Sequence, residues 1–249
     1  MQSEIPLRRC WKSSTIAAWK QAARAENAAA TGKAYAQTLL DLVKAFERVP
    51  YRVLRREASR LGYPLRILRL TIAAYKLPRV IRVGEAISDI IFAVRGMVAG
   101  SGSATTEMRL AMIHIVDAAI VAHPTVEPTL VVDDVSSEKA GEADDIAEEL
   151  GSFTWMLVQL IRADDMEVSA TKSLVSASNP SLGKAIEYKL QVEQANYDQS
   201  FAGSTRSTPN DSPSPPPGIS PQEVSAPPVS MSIDRWPLWR GCRRGPGGG

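Results

Sequence analysis

Hydrophobic positions in the first third of the chain change their spacing several times. Residues 13–30 are alanine-rich and place Ile16 and Trp19 on one side of a helix, which is predicted to end near Gly32. The next segment, AYAQTLLDL, is strand-like, and its apolar run stops at Asp41. Two further helices are predicted over YRVLRREASRLGYP and LRILRLTIAAY, because apolar residues recur there every three or four positions.

The middle of the chain alternates between hairpin and helix patterns. VIRVGEAISDIIFAV predicts two strands folded about Gly84-Glu85, and the small-residue loop GMVAGSGSATTE opens into a predicted helix over 104–122. LVVDDVSSEKA is a second predicted hairpin, residues 142–162 form a predicted amphipathic helix, and VSATKSLVSAS is a last strand-like stretch. This order predicts an α+β fold, in which an antiparallel sheet has its helices packed on one face.

The composition changes after about Ala195, where Pro, Ser and Gly predominate. Such a segment has too few apolar side chains to offset the entropy of ordering it. We therefore expect a disordered tail over 195–249, following a domain over 1–194. The stretch SPSPPPGISP in that tail leaves open an interaction module, since it could form a polyproline helix for an aromatic-lined groove.

The overall composition, 44% hydrophobic and 22% charged over 249 residues, is typical of a globular protein. Cys10 and Cys242 lie far apart, which disfavours a disulfide framework or a zinc site. The N-terminus lacks the apolar core of a signal peptide, and the most apolar stretch is too short to span a bilayer. We therefore expect an intracellular protein, nuclear or cytoplasmic, with no membrane partner.

Charge is distributed unevenly along the chain. Residues 44–82 contain eleven basic and two acidic residues, whereas residues 133–167 contain eleven acidic and two basic residues. Both blocks could be solvated helix faces. The alternative is that the basic block binds a polyanion such as nucleic acid, and that the acidic block binds cations.

Of the three pairs of adjacent aspartates in the chain, Asp133-Asp134 is the one that follows an apolar run, LVV. Two like charges beside buried residues repel each other, and a divalent cation would make the pair favourable. Asp41 ends another apolar strand, so adjacent strands would bring Asp41 and Asp133 together around two cations suited to nucleotidyl transfer. The pairs at 144–145 and 164–165 have structural explanations, the first turn of a helix and a turn between elements.

Four segments then resemble, in sequence and in order, the palm motifs of reverse transcriptases, most closely those of non-LTR retrotransposons. They are DLVKAFERV (41–49), RGMVAGS (95–101), VVDD (131–134) and EVSATKS (167–173). The resemblance covers roughly residues 13–180. It implies an RNA-directed DNA polymerase palm domain, with an RNA template, a DNA primer and deoxynucleoside triphosphates as partners.

The resemblance also implies catalytic roles for individual residues. Asp41 and Asp133 would hold two Mg²⁺ (or Mn²⁺) ions, with Asp134 beside them. Lys172 would protonate the leaving pyrophosphate, as a lysine near a departing phosphate can act as a general acid. This set predicts a two-metal nucleotidyl transferase.

Substrate-binding roles follow from the same resemblance. Phe46 matches the aromatic residue that excludes a ribose 2′-hydroxyl, and Gly96 and Gly100 match the loop that lies under the template and the incoming base pair. Glycines there allow close approach of the backbone. Arg95 stands before this loop, where glutamine is frequent in the family.

The chain departs from the family pattern elsewhere. Val131 stands where an aromatic residue is usual. The forty residues before Asp41 and the short stretch between Lys172 and the proline-rich tail leave fingers and thumb largely missing. A catalytically inactive palm remnant with weak nucleic-acid binding is therefore the main alternative. A receiver-like phospho-acceptor domain also combines an acidic pair, an aspartate and a lysine, but there the acidic pair comes first, on a parallel strand.

Overall fold

A computed structural model of the chain describes residues 14–98 and 100–204, with side chains as far as residue 199. The predicted disordered tail lies outside the described residues from residue 205 onward. No described helix combines the length and the apolar character that crossing a membrane would require.

The helices and strands follow the predicted order, with the short helix α2 and the long helix α7 in addition. The helices are α1 (Ser14–Ala30), α2 (Ala45–Arg48), α3 (Tyr51–Leu61), α4 (Leu65–Tyr75), α5 (Ala104–Ala122), α6 (Ala143–Ala163) and α7 (Pro180–Ser204). The strands are β1 (Ala34–Leu40), β2 (Arg82–Val83), β3 (Ala86–Ile87), β4 (Glu127–Val131), β5 (Asp134–Gly141) and β6 (Leu174–Ala177).

Four strands form an antiparallel sheet in the order β4-β5-β1-β6, and β2 pairs with β3 in a separate ribbon. β1 lies between β5 and β6, and its ladder with β5 closes at the pair Leu40 and Val135. β4 and β5 form a tight hairpin in which Val131 pairs with Asp134. The predicted antiparallel sheet and both predicted hairpins are confirmed.

One face of the sheet packs against α6 and forms the centre of the core. Ala36 and Leu40 of β1 are buried there, and Thr38 between them lies 3.0 Å, oxygen to oxygen, from Thr154 of α6. Removing one large apolar side chain from water stabilises a fold by about 1.5–3 kcal/mol. The predicted apolar stripe of α6 supplies several such side chains, Ile146, Leu150, Phe153, Leu157 and Ile161.

α1 lies on the opposite face of the sheet, which corrects the expectation that the helices share one face. Arg24 of α1 pairs with Glu138 of β5, whereas the next strand residue, Lys139, pairs with Asp145 of α6. Successive side chains of a strand point to opposite faces, so α1 and α6 must flank the sheet.

The side of α1 that we expected to be its apolar face points away from the sheet. Ile16 and Trp19 are 49% and 72% exposed, and the residues that α1 buries are Ala17 and Ala28. The sheet face under α1 includes polar side chains such as Gln37 and Ser136, and a groove separates part of it from α1. Periodicity identified the helix correctly, but it did not identify the buried side.

α7 was not predicted, and the predicted domain boundary near Ala195 lies inside it. Its buried residues Leu182, Ile186 and Leu190 recur every fourth position. The helix continues to Ser204, so the segment 195–204, which we expected to be disordered, is helical.

The ribbon of β2 and β3 is confirmed as a hairpin, yet it contributes little to the core. Arg79 and Ile91 form a further bridge at its base. Its large apolar side chains are exposed: Val80, Ile81, Val83, Ile87, Ile90, Ile91, Phe92 and Val94.

Candidate functional site

The ends of β1 and β5 bring the predicted acidic residues to one edge of the sheet. The last ladder pair is Leu40 with Val135, so Asp41 and Asp134 are the next residues outward on two adjacent antiparallel strands. Asp133 lies in the hairpin turn immediately before Asp134. The predicted placement of Asp41 and the aspartate pair on adjacent strands of an antiparallel sheet is therefore confirmed, with Asp41 following β1 and Asp134 beginning β5. That the carboxylates of Asp41 and Asp133 share a cation stays a prediction.

The turn that carries the pair has an unusual backbone. Val132 has a φ of 61°, in the left-handed region that β-branched residues rarely adopt. Such a conformation costs free energy and persists only where the surrounding structure imposes it. The hairpin therefore holds Asp133 and Asp134 in a fixed place at the expense of local strain.

The pKa of both paired aspartates is raised. Burial, followed by the like charge of Asp41, raises the pKa of Asp133, although a hydrogen bond from its own backbone N–H lowers it in part. Partial burial raises the pKa of Asp134, and the charges of Asp133 and Asp41 raise it further. The ionised cluster is thus unfavourable in the folded chain, and a cation would relieve it.

The carboxylate of Asp41 is only partly neutralised by its surroundings. Its Oδ2 is shielded from water and accepts no hydrogen bond from the described residues. The Lys172 ammonium, on a largely exposed side chain, lies 3.7 Å from the same oxygen. One buried acceptor is therefore left for a cation or a donor that is not part of the described chain.

The backbone of Asp41 is held by the segment that carries Lys172. Ser169 N–H donates to the Asp41 carbonyl at 2.8 Å, and Asp41 N–H donates to the Ser173 hydroxyl at 3.2 Å. Ser173 is fully buried. Sequence reasoning missed this role, for which the available signal was the position of Ser173 next to Lys172.

The loop that begins at Gly96 is tied to the segment after Asp41. Gly96 N–H donates to the Val49 carbonyl at 2.9 Å, and Met97 N–H donates to the Phe46 carbonyl at 2.6 Å. Gly96 has a φ of 88°, and a Cβ on it would lie 2.4 Å from the Glu47 carbonyl oxygen. Glycine is therefore required here because of the chain's own backbone at Glu47, whereas the predicted approach of this loop to a template base stays a prediction.

The other predicted substrate-binding residues are less constrained. Phe46 packs against the edge of the core and is partly buried. Gly100 also has a positive φ, but a Cβ there would meet nothing within 4 Å. Arg95 is exposed.

A buried polar network fixes the end of the same loop. Glu107, fully buried in the first turn of α5, accepts hydrogen bonds from the Tyr75 and Thr71 hydroxyls at 2.8 and 2.7 Å. The Tyr75 hydroxyl also lies 3.1 Å from Ser101 Oγ. Burial, followed by its hydrogen bond with Glu107, raises the pKa of Tyr75 to about 12, which keeps it a donor near neutral pH.

The basic and acidic blocks meet each other in space. Arg48 pairs with Glu167, and Arg52 pairs with Asp165 at 2.5 Å. Arg56 places two guanidinium nitrogens within 3.0 Å of the Asp164 carboxylate. The two charge runs therefore neutralise each other in part. Both interpretations of the sequence, solvated helix faces and separate binding surfaces, treated the two runs as independent of each other.

Within the described part of the chain, no group of three or more His, Cys, Asp or Glu side chains is arranged to hold a metal ion. Mg²⁺ does not need such a cage, because it is usually bound by one or two carboxylates together with water and substrate phosphates. The residues that fit this mode are Asp41, with its unpartnered buried oxygen, and the Asp133-Asp134 pair beside it.

No protein-family model matches the chain, and no curated protein matches it. The resemblance to reverse transcriptases therefore rests on the four sequence segments alone. The geometry of Asp41, Asp133, Asp134 and Lys172 is the independent observation that bears on it.

Proposed function

We propose that the chain contains the palm of an RNA-directed DNA polymerase, in which a palm-type sheet performs nucleotidyl transfer at Asp41, Asp133 and Asp134. The observation that carries the proposal is the register of β1 with β5, which places Asp41 next to Asp134 at the edge of the sheet. The Asp41 Oδ2, which accepts no hydrogen bond, and the raised pKa of both paired aspartates support it, because both features favour a cation.

The residues of the chain would divide the work as follows. Asp41 and Asp133 would bind the cations. Asp134 would add a further negative charge beside them. Mg²⁺ bound there would lower the pKa of an attacking primer hydroxyl and stabilise the leaving pyrophosphate. Lys172, which is exposed and 3.7 Å from Asp41, would donate a proton to that leaving group.

Two further features would select and position the nucleotide. The Phe46 carbonyl is bound by the loop that starts at Gly96, so the aromatic ring and the loop are held in a fixed relation. A fixed aromatic ring beside the sugar would exclude a 2′-hydroxyl by steric contact. The loop would approach the template base through its backbone, which the glycine at 96 permits.

The test is incorporation of a single deoxynucleotide on an RNA template with a DNA primer, in Mg²⁺ and in Mn²⁺. We expect slow incorporation that Asp41→Asn abolishes and that Asp144→Asn, which removes an aspartate from the first turn of α6, leaves intact. Phe46→Ala should increase the use of ribonucleotides. Absence of incorporation by the wild type, or equal incorporation by Asp41→Asn, would overturn the proposal.

A further inference from the structure

We infer that α1 is a displaceable cover, which in the closed state occupies the face of the sheet that a nucleic acid must reach to approach Asp41 and Asp134. The inference rests on the proposed function and adds its regulation. It comes from three observations, which are the polarity of the covered face, the gap beneath α1, and the ion pair that holds α1 down.

The sheet face under α1 carries polar side chains among apolar ones. Gln37 of β1, Ser136 of β5, Thr129 of β4 and Ser176 of β6 line the groove under α1, beside Leu39 and Val131. Buried sheet faces are normally apolar, and the residues in alternate positions of these strands do form the core. The hydrogen-bonding side chains on the α1 face are suited to binding a polar ligand rather than to permanent burial.

A groove of about 980 Å³ lies between α1 and this face. Its walls include alanines of α1, among them Ala18, Ala22 and Ala25, and Asp134 lies among its lining residues. Protein interiors are close-packed, and a gap of this size forfeits the contacts that would otherwise fix a helix in place. The groove therefore leads to the carboxylate edge, and α1 is only loosely packed above it.

The buried surface of α1 is too small to hold it firmly. Its buried residues are Ala17 and Ala28, and alanine contributes the least apolar area of the common core residues. Polar contacts supply the specificity, since Gln21 donates to the Ser136 hydroxyl at 2.5 Å and Arg24 pairs with Glu138.

The closed state, in which α1 lies on the sheet, depends on the ion pair between Glu138 and Arg24. The Glu138 side chain is 2% exposed, and besides Arg24 it accepts a hydrogen bond from the Tyr35 hydroxyl at 2.5 Å. A buried carboxylate that loses its cation is strongly disfavoured, whereas lifting α1 would return it to water. Weakening this one pair should therefore open the cover rather than unfold the sheet.

The first test measures opening directly by amide hydrogen exchange. We expect α1 to exchange faster than α6 in the wild type, because segments with few buried contacts open locally at low free energy. Arg24→Ala and Glu138→Gln should each accelerate exchange in α1 and leave α6 unchanged. The control is Trp19→Ala, which alters the outer side of the same helix and should not change its exchange.

The second test measures binding of a short fluorescein-labelled RNA–DNA hybrid in Mg²⁺. Arg24→Ala removes a positive charge and Glu138→Gln removes a negative one, so simple electrostatics predicts opposite effects on affinity. Opening of the cover predicts tighter binding in both variants, by about threefold or more, because the fraction of binding-competent molecules rises.

The outcomes separate the cover from the proposed function. Exchange of α1 as slow as that of α6 in the wild type, or opposite effects of the two variants on affinity, would overturn the inference. Neither outcome bears on the cation site, which is tested by nucleotide incorporation. Conversely, failure of the proposed function would appear as absent incorporation by the wild type, or as incorporation that Asp41→Asn leaves unchanged, whether or not α1 exchanges faster than α6.

Discussion

At the scale of single residues, the aspartates at the ends of β1 and β5 are held where ionisation is unfavourable. The sequence identified Asp41, Asp133 and Asp134, because each follows an apolar run that predicts a strand. It could not reveal the unpartnered Oδ2 of Asp41 or the backbone strain at Val132, since both depend on contacts between distant segments.

Replacing Asp134 by asparagine should stabilise the chain in the presence of a chelator. The pKa of Asp134 is raised above 3.8, so the folded state binds this proton more tightly than the unfolded state does. The contribution of that bound proton to folding stability is complete below pH 3.8, and it is lost as the pH rises through the raised pKa. Asp134→Asn should thus match the wild type at low pH and melt about 2 °C higher at neutral pH, a small gain because the side chain retains contact with water.

The matched control is Asp144→Asn, at an exposed aspartate in the first turn of α6. An aspartate there is favourable to the helix dipole, so its loss should leave the melting temperature unchanged or slightly lower. Thermal melts across the acid to neutral range provide the comparison. Equal melting temperatures of Asp134→Asn and wild type at every pH would contradict the account of the cluster.

Gly96→Ala should destabilise the fold by about 3 kcal/mol, because alanine adds a clash with the Glu47 carbonyl to the cost of a left-handed backbone. Gly84→Ala is the control, since Gly84 also has a positive φ but open space around it. That change should cost about 1 kcal/mol. Urea denaturation of both variants measures the difference, and similar losses would show that no close approach exists at position 96.

At the scale of elements, local patterns were sufficient for most helices and strands. The stripe on α3 and its stop at Gly62 were predicted, and Gly62 is the left-handed residue that ends the helix. α7 was not predicted although Leu182, Ile186 and Leu190 recur every fourth position, because most of the residues between them are polar. The close packing of α7 on Gly151 of α6 is a tertiary contact that no local pattern contains.

The turn after α6 also differs from its expected role. Asp164 was assigned to an ordinary turn, yet it is buried and binds Arg56 through both carboxylate oxygens. His114 of α5 lies 2.8 Å from the same carboxylate, so this residue joins three helices. Sequence reasoning could not find this because its partners lie some 50 to 110 residues away.

Asp164→Asn should therefore destabilise the chain by about 1.5 kcal/mol, since it removes one of the two buried carboxylates that pair with the half-exposed Arg56, the other being Glu57. Asp165→Asn, at the adjacent exposed residue paired with Arg52, should change stability by less than about 1 kcal/mol. Chemical denaturation at neutral pH compares the two. Equal effects would mean that the two adjacent aspartates are equivalent surface residues.

At the scale of the whole molecule, the antiparallel sheet and its strand neighbours were predictable, but the sides on which the helices lie were not. The basic and acidic segments form ion pairs between α3 and the turn after α6. The net charge of either segment in the sequence therefore overstates the electrostatic field that it presents to a binding partner. The exposed apolar ribbon and the polar face under α1 are likewise properties of the folded chain. They depend on which face of each strand is covered by a helix. In several strands polar and apolar residues do not alternate strongly enough for the sequence to identify that face.

The central claim is that the aspartates at the edge of the sheet hold a cation, and Mg²⁺-dependent thermal stabilisation tests it most directly. A ligand that binds the folded state alone raises its stability by mass action. We predict that wild type and Asp144→Asn melt about 5 °C higher at a Mg²⁺ concentration about 100 times the Kd, and that Asp41→Asn and Asp133→Asn lose most of this shift. An equal shift in wild type, Asp41→Asn and Asp133→Asn, or no shift in any of them, would contradict the claim.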